Sequence, residues 1–230
     1  MLYSSKRKFI FIHIQKTAGT SIEVALAGIT PDAIRKFGDL PQSNDPLKNR
    51  HLFASDLKSY FDPVTWESCF KFAFVRNPWS RLVSWYNMCI ERPSTPFMRI
   101  VKWETSTFEE FLNLTHWRAD RTRSNQADYV TDASGHLIVD FIGRFEQITK
   151  DFEIVCKHLQ VELKLPHKNQ GTSVDYRTYY TDKTRKLVSD RFAVDIELFG
   201  YQFEDGDGEM SSEPGPIEEK PTVTSPSAQI

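Results

Sequence analysis

Residues 9–26, "FIFIHIQKTAGTSIEVAL", decide the fold. The stretch opens inside a nearly continuous apolar, β-branched and aromatic run, residues 8–14, which is typical of a strand buried on both faces of a parallel sheet. A short loop follows, with one lysine, one glycine and several hydroxyl groups, and apolar residues at helical spacing come after it. The stretch therefore predicts a strand, an anion-sized loop and a helix, in that order.

The same pattern occurs twice more along the chain. Two further strand candidates are "CFKFAFV" (residues 69–75) and a strand within "HLIVDFIGRFE" (residues 136–146). Apolar residues at helical spacing follow both, at positions 79–90 and 148–159, with Asn77 at a helix N-cap and Pro78 at the first helical position. The repeated order predicts an α/β protein, a P-loop-like three-layer fold with a central parallel sheet flanked by helices.

The remaining segments set the predicted domain boundaries. A helix is predicted near residues 107–114, and a closing helix over residues 182–199 that ends at Gly200. Residues 204–230 are acidic and rich in glycine, proline and serine, and they predict a disordered tail. We therefore expect one domain without disulfides over residues 1–203, followed by the tail.

The composition of the chain limits the classes of protein to which it can belong. The 230 residues carry a net charge of −2 and are 40% hydrophobic and 26% charged, which favours a soluble globular protein with no overall attraction for nucleic acid. No apolar run approaches the roughly 20 residues of a membrane helix, so we expect a cytoplasmic protein with no membrane span. Cys69, Cys89 and Cys156 have no metal-binding spacing, which predicts buried, reduced thiols and no metal site. The oligomeric state is not predicted.

The loop of the first unit has the groups that bind a phosphate. Lys16 supplies a positive charge, Thr17, Thr20 and Ser21 supply hydroxyl donors, and Gly19 allows close backbone approach. The alternative is a glycine turn with a solvated lysine. A Walker A string, with its lysine at the end of the loop, does not occur, which disfavours a standard ATPase.

A second anion site is predicted after the second strand. Arg76 stands at the carboxyl end of that strand, where open α/β sheets bind ligands, and Ser84 lies one helical turn beyond Ser80. A phosphate between Arg76 and Ser84 fits this placement. The alternative for each is an ordinary surface residue.

The two motifs together resemble sulfotransferases that use 3′-phosphoadenosine 5′-phosphosulfate (PAPS), in the branch of the heparan and chondroitin O-sulfotransferases and their bacterial relatives. "HIQKTAGTS" (residues 13–21) resembles the family's 5′-phosphosulfate loop, which includes Ala18, and "FVRNPWSRLVSWY" (residues 74–86) resembles its 3′-phosphate motif. The likeness extends over most of residues 8–203, including "RHLFASDL" (residues 50–57).

The resemblance implies roles for individual residues. Lys16 and the loop hydroxyls would stabilise charge on the 5′-phosphate leaving group, and His51 matches the catalytic histidine that takes a proton from the acceptor hydroxyl. Lys168 and Asn169 would contact the nucleotide. PAPS would be the co-substrate and adenosine 3′,5′-bisphosphate (PAP) the product, without a metal, and the acceptor a hydroxyl group of a carbohydrate or other small polar molecule.

Several alternatives stay open from the sequence. The chain is also compatible with a P-loop-like kinase or with a PAP-binding module that lacks catalysis. His51 has a structural alternative in which it packs against the following helix, and Tyr176, Tyr179 and Tyr180 either stack on adenine or pack against the sheet. Related enzymes often have proline where this chain has Asn125, which leaves open a substrate-binding role for Gln126.

Overall fold

A computed structural model describes residues 1–33, 51–117, 125–166 and 174–205. Its described parts contain one sheet with the strands in chain order: β1 (Leu2–Ser4), β2 (Phe9–Ile12), β3 (Phe70–Val75) and β4 (Phe141–Arg144). Strands β2, β3 and β4 are parallel, as predicted, whereas β1 pairs antiparallel with β2. The short edge strand β1 was not predicted, because three residues carry too little periodicity to be recognised.

The helices pack on both faces of this sheet and beyond its edge. They are α1 (Gly19–Ala27), α2 (Ala54–Tyr60), α3 (Pro63–Ser68), α4 (Pro78–Glu91), α5 (Pro96–Glu104), α6 (Phe108–Trp117), α7 (Ile148–His158), α8 (Asp182–Arg191) and α9 (Ala193–Phe199). Asn77 caps α4 as predicted, since its side chain accepts hydrogen bonds from the backbone N–H groups of Trp79 and Ser80. Gly200 ends α9 in the left-handed conformation (φ 65°).

The single closing helix predicted over residues 182–199 is wrong. The helix breaks at Phe192, whose backbone leaves the helical region (φ −115°, ψ 29°). The ring of Phe192 is buried in the apolar cluster formed with Trp79, Val188 and other residues. Burial of this ring therefore decides the local backbone conformation, although the helical spacing of the sequence continues across it.

Alternate residues of a strand face opposite sides of the sheet and pack against different helices, which produces a helix–sheet–helix arrangement of three layers. Phe9 and Phe11 of β2 face a cluster that includes residues of α1 and α7, whereas Ile10 and Ile12 face a cluster that includes residues of α2 and α3. Strand β2 is therefore buried on both faces, as its continuous apolar pattern predicted.

The parallel strands place two loops at one edge of the sheet. Ile12 of β2 pairs with Ala73 of β3, so both strands run out at their carboxyl ends in neighbouring positions. The loop after β2 leads into α1, and Arg76 begins the loop between β3 and α4. This edge is where open α/β sheets bind their ligands.

The opposite end of β3 is held by a buried lysine. Lys71 is 1% exposed, and its Nζ donates to the carbonyl oxygens of Trp66 (3.0 Å) and Cys69 (2.6 Å). The same Nζ lies 2.9 Å from a carboxylate oxygen of Asp140. These contacts tie the start of the strand to α3, far along β3 from Arg76.

The predicted state of the cysteines is confirmed: all three are buried and none forms a disulfide. Within the described ranges, no helix combines the length and the apolar character that crossing a membrane requires.

Candidate active site

The loop after β2 has an unusual backbone. Lys16 (φ 67°) and Ala18 (φ 62°) are left-handed, and they make up half of the four non-glycine residues with positive φ in the described parts of the chain. Such a conformation costs roughly 1–2 kcal/mol per residue, so it persists only where the surroundings enforce it. Thr17 between them is not left-handed, and an alternation of this kind turns successive backbone N–H groups into an anion-binding concavity.

Thr17 and Gly19 hold the loop in place. Thr17 is fully buried, and its hydroxyl group donates to the carbonyl oxygen of Ile14 (3.0 Å), so this proton is used inside the loop. Gly19 begins α1, and a Cβ atom on it would lie only 2.1 Å from Cδ2 of His13. The close approach that requires glycine here is therefore to the imidazole ring of His13. Thr20 is exposed and Ser21 is buried in the first turn of α1.

Lys16 reaches across to helix α4. Its Nζ lies 3.4 Å from the sulfur atom of Met88. The pKa of Lys16 is lowered from 10.5 to about 8, chiefly by burial and next by the positive charge of Arg76. Two cations from two different loops therefore act on each other at this edge of the sheet.

Two histidines lie side by side behind the loop. Nδ1 of His13 lies 2.8 Å from a carboxylate oxygen of Glu23 in α1, and the His13 and His51 rings meet edge to face at 4.6 Å. Nδ1 of His51 lies 2.8 Å from the backbone carbonyl oxygen of His13. Because a carbonyl oxygen only accepts, Nδ1 carries the proton, and the neutral ring has its lone pair on Nε2. This is the tautomer that a base needs.

Contacts within the protein orient the guanidinium group of Arg76. Its Nε donates to the hydroxyl oxygen of Ser80 (2.9 Å), and its Cζ lies 3.9 Å above the ring of Phe145. Ser84 is half-buried one turn further along α4. The spacing argument placed Ser84 correctly on this helix but did not reveal that Ser80 contacts Arg76.

The backbone around Arg76 is also held by side chains. The backbone N–H of Arg76 donates to Oε1 of Gln126 (2.8 Å), and its carbonyl oxygen accepts from Nε2 of the same residue (2.7 Å). The N–H of Asn77 donates to Glu146 (2.7 Å), whose other carboxylate oxygen accepts from the hydroxyl of Tyr201 (3.1 Å). Burial raises the pKa of Glu146, and the bond from Asn77 opposes this shift.

The three tyrosines considered for adenine stacking bond to the protein itself. Tyr176, Tyr179 and Tyr180 donate their hydroxyl protons to Asp205 O (2.9 Å), Asn87 Oδ1 (3.3 Å) and Trp79 O (3.0 Å), respectively. Their rings pack against other aromatic rings near α4 and α6. Lys168 and Asn169 lie outside the described residues.

Residues 1–202 match the family model described as Sulfotransferase family. The match spans most of the chain. The chain belongs to the sulfotransferase family.

A solved structure supports the fold of this sulfotransferase. The chain is 18% identical to mouse sulfotransferase SULT7A1 complexed with PAP, with a TM-score of 0.52, and the alignment covers 84% of this chain and 86% of the mouse chain. At this identity the likeness concerns the fold, and it confirms the predicted P-loop-like α/β architecture. A comparison with curated protein sequences finds no significant match.

The sulfotransferase has residues in contact with the Arg76 segment to which the sequence pattern did not assign that contact. Gln126, Glu146 and Ser80 each bond to the segment that begins at Arg76, yet two of them lie 50 or more positions away along the chain. Among residues whose positions are described, no three histidine, cysteine or carboxylate side chains cluster as a metal site.

Proposed function

We propose that this sulfotransferase moves the sulfuryl group of PAPS to a hydroxyl group of a carbohydrate or another small polar acceptor. The observation that carries the proposal is the pair of cations at one edge of the sheet, Lys16 and Arg76, each in its own loop and close enough for one to lower the pKa of the other. A nucleotide with a 5′-phosphosulfate and a 3′-phosphate presents two anions to such a pair. The mouse enzyme of similar fold was crystallised with PAP, which supports the same choice of nucleotide.

The first loop is suited to the 5′ side of the nucleotide. The left-handed residues Lys16 and Ala18 precede the N-terminus of α1, where backbone N–H groups and the helix dipole favour an anion. Sulfuryl transfer leaves negative charge on the 5′-phosphate, so a cation placed here stabilises the transition state more than the ground state. We assign this role to Lys16, with Gly19, Thr20 and Ser21 at the start of α1.

The second loop is suited to the 3′-phosphate. The guanidinium of Arg76 is held by Ser80 and by the ring of Phe145, so little side-chain freedom remains to be lost on binding. Ser84 lies on the same helix at a distance of one turn and adds a hydroxyl donor. Arg76 and Ser84 together make the proposed 3′-phosphate site.

His51 is the proposed general base. Its hydrogen bond to the His13 carbonyl puts the lone pair of the neutral ring on Nε2. As the acceptor oxygen forms a bond to sulfur, its proton passes to Nε2, and the bond between sulfur and the bridging phosphate oxygen breaks to release PAP. The step is balanced without another reactant.

Several predictions from the sequence remain proposals. They are the carbohydrate nature of the acceptor, the cytoplasmic location, the domain boundary at residue 203, and nucleotide contacts by Lys168 and Asn169. A PAP-binding protein without catalysis is the main competing function, because it would share both phosphate loops.

Transfer of labelled sulfate from PAPS to a panel of glycans, lipids and metabolites tests the proposal. We expect His51→Ala to lower kcat by about 10²–10⁴-fold, because a positioned general base contributes about that much, while PAP affinity is retained. His136→Ala is the matched control, since that side chain is 81% exposed, and it should leave turnover unchanged.

Two outcomes contradict this account. PAP binding without sulfate transfer to any member of the panel would favour a PAP-binding protein that lacks catalysis. Near-normal turnover of the His51→Ala variant would mean that the base is a different group.

A further inference from the structure

Beneath the two loops lies a group of buried polar residues that the proposed chemistry does not use. Gln126 is fully buried, and its side-chain amide bonds to both the N–H and the C=O of Arg76. The oxygen and the nitrogen of the side-chain amide thus both bond to the backbone of the same residue. A side chain in this position cannot contact a ligand in solvent, so it acts through Arg76.

Asp195 fixes the orientation of that amide. One carboxylate oxygen accepts from Nε2 of Gln126 (3.2 Å), and the other accepts from the backbone N–H of Ala127 (2.9 Å). Turning the amide over would place its oxygen against both the Arg76 carbonyl and the carboxylate, which are acceptors only. Asp195 is fully buried at the start of α9. It therefore holds Gln126 in the one orientation that matches the backbone of Arg76.

Arg81 connects the same group to the first loop. Its side chain is 2% exposed, and its Nε donates to the carbonyl oxygen of Gln15 (3.0 Å), the residue before Lys16. The charge of Arg81 opposes the rise that burial causes in the pKa of Asp195. An arginine that bonds to one loop thus favours the ionised form of a carboxylate that supports the other.

We propose that Gln126, Asp195 and Arg81 are positioning residues that hold the two phosphate loops in a fixed relation, so that the guanidinium of Arg76 meets the 3′-phosphate while the Lys16 loop meets the 5′-phosphate. The proposal rests on the proposed function. It assigns no ligand contact to the three residues.

The cost of burial supports a positioning role. Buried polar and charged groups add little net stability compared with well-packed apolar residues of similar size. Here the bonds are aimed at two specific backbone units, those of Gln15 and Arg76, which flank the two proposed phosphate sites. Small displacements at such sites are costly to binding and catalysis.

Calorimetric binding of PAP and of adenosine 5′-monophosphate, which lacks the 3′-phosphate, tests the proposal. We expect Gln126→Met to weaken PAP binding by about tenfold, in the range of coupling between directly contacting residues, and to change binding of the monophosphate much less. Arg81→Met acts on both loops and should weaken both ligands.

A double-mutant cycle separates positioning from general destabilisation. Because Gln126 acts through Arg76, Gln126→Met should weaken PAP binding little further in a protein that already carries Arg76→Ala. Lys71→Met is the matched control, since this buried polar residue lies at the other end of β3. We expect it to lower the melting temperature while the ratio of the two affinities stays that of the wild type.

If Gln126→Met fails to fold, Asp195→Asn keeps the shape and removes the charge that orients the amide, and it should change the affinity ratio in the same direction. For Gln126→Met or Asp195→Asn, equal losses for both nucleotides would overturn the inference, and so would additive losses in the cycle, while Arg76→Ala still tests the proposed function. Absence of PAP binding by the wild-type protein would overturn both.

Discussion

At the scale of single residues, the protonation state of Lys16 determines the charge of the first loop. A pKa of about 8 means that Lys16 loses its proton near physiological pH, whereas an exposed lysine would keep it to about pH 10.4. In the protein without nucleotide, the charged form is penalised by burial. The free energy of unfolding should therefore rise with pH between about 8 and 10.5, because the unfolded chain binds the proton more tightly.

The same shift has the opposite effect on nucleotide binding. In the proposed function PAP contacts the charged form of Lys16, so its affinity should be nearly constant from pH 7 to about 7.5 and then fall by up to about tenfold per pH unit above the pKa. Calorimetry at pH 8.5 in buffers of different ionisation enthalpy should show proton uptake on binding. Lys16→Arg should abolish that uptake, since arginine stays charged. Proton uptake that persists in the arginine variant would contradict the role of Lys16.

At the scale of elements, the contact between β2 and α1 determines which residues the first loop tolerates. His13 directly follows β2, and its imidazole ring fills the space where a side chain on Gly19 would lie. The carboxylate of Glu23 in α1 holds this ring in place through its contact with Nδ1. The strand, the loop and the helix thus pack as one unit. A substitution of Gly19 should therefore displace His13 and, through the carbonyl group of His13, also displace His51.

Substitution of Gly19 tests this packing. Gly19→Ala places a methyl group about 2 Å from a ring that cannot move freely, and overpacking of this kind typically costs about 1–3 kcal/mol. Gly28→Ala is the control at the other end of α1, because its backbone is right-handed (φ −65°) and no atom lies within 4 Å of the added methyl group. The control should be neutral or slightly stabilising in thermal melts. Equal melting temperatures for both variants would mean that His13 does not constrain Gly19.

Local patterns were sufficient to predict most of these elements. The continuous apolar runs predicted β2 and β3, and the Asn77 and Pro78 pair predicted the start of α4, because burial on two faces and helix capping leave a signal within a few residues. The sequence predicted the glycine at position 19 for approach to a ligand, and the structure adds that a side chain there would meet the ring of His13. The break at Phe192 depends on where one ring is buried, which the local sequence does not encode.

The residues that support the site were harder to predict. Gln126 contacts Arg76 from 50 positions away, and Asp195 contacts Gln126 from 69 positions away. Such pairs form only when the helices and strands have packed, and a single sequence contains no pattern that joins them. The candidate ligand-facing residues were found because short loops carry them, whereas their partners come from distant segments.

At the scale of the whole molecule, one edge of a parallel sheet brings two separate loops together. Lys16 follows β2, Arg76 follows β3, and Arg81, Gln126 and Asp195 lie buried beneath them. We infer that this arrangement binds a nucleotide with phosphates at both the 3′ and 5′ positions. PAP is the stable ligand of that kind, and its binding does not depend on knowing the acceptor.

The most direct test is a thermal melt of the protein with PAP in the absence of Mg²⁺, beside one with ATP and Mg²⁺. At a PAP concentration of about 100 times Kd, mass action stabilises the folded state by about 2.7 kcal/mol, which should raise the melting temperature by about 5–10 °C. We expect this rise without the metal, because the charges that meet the two phosphates come from Lys16 and Arg76. Stabilisation by ATP that exceeds that of PAP and appears only with Mg²⁺ would contradict the account.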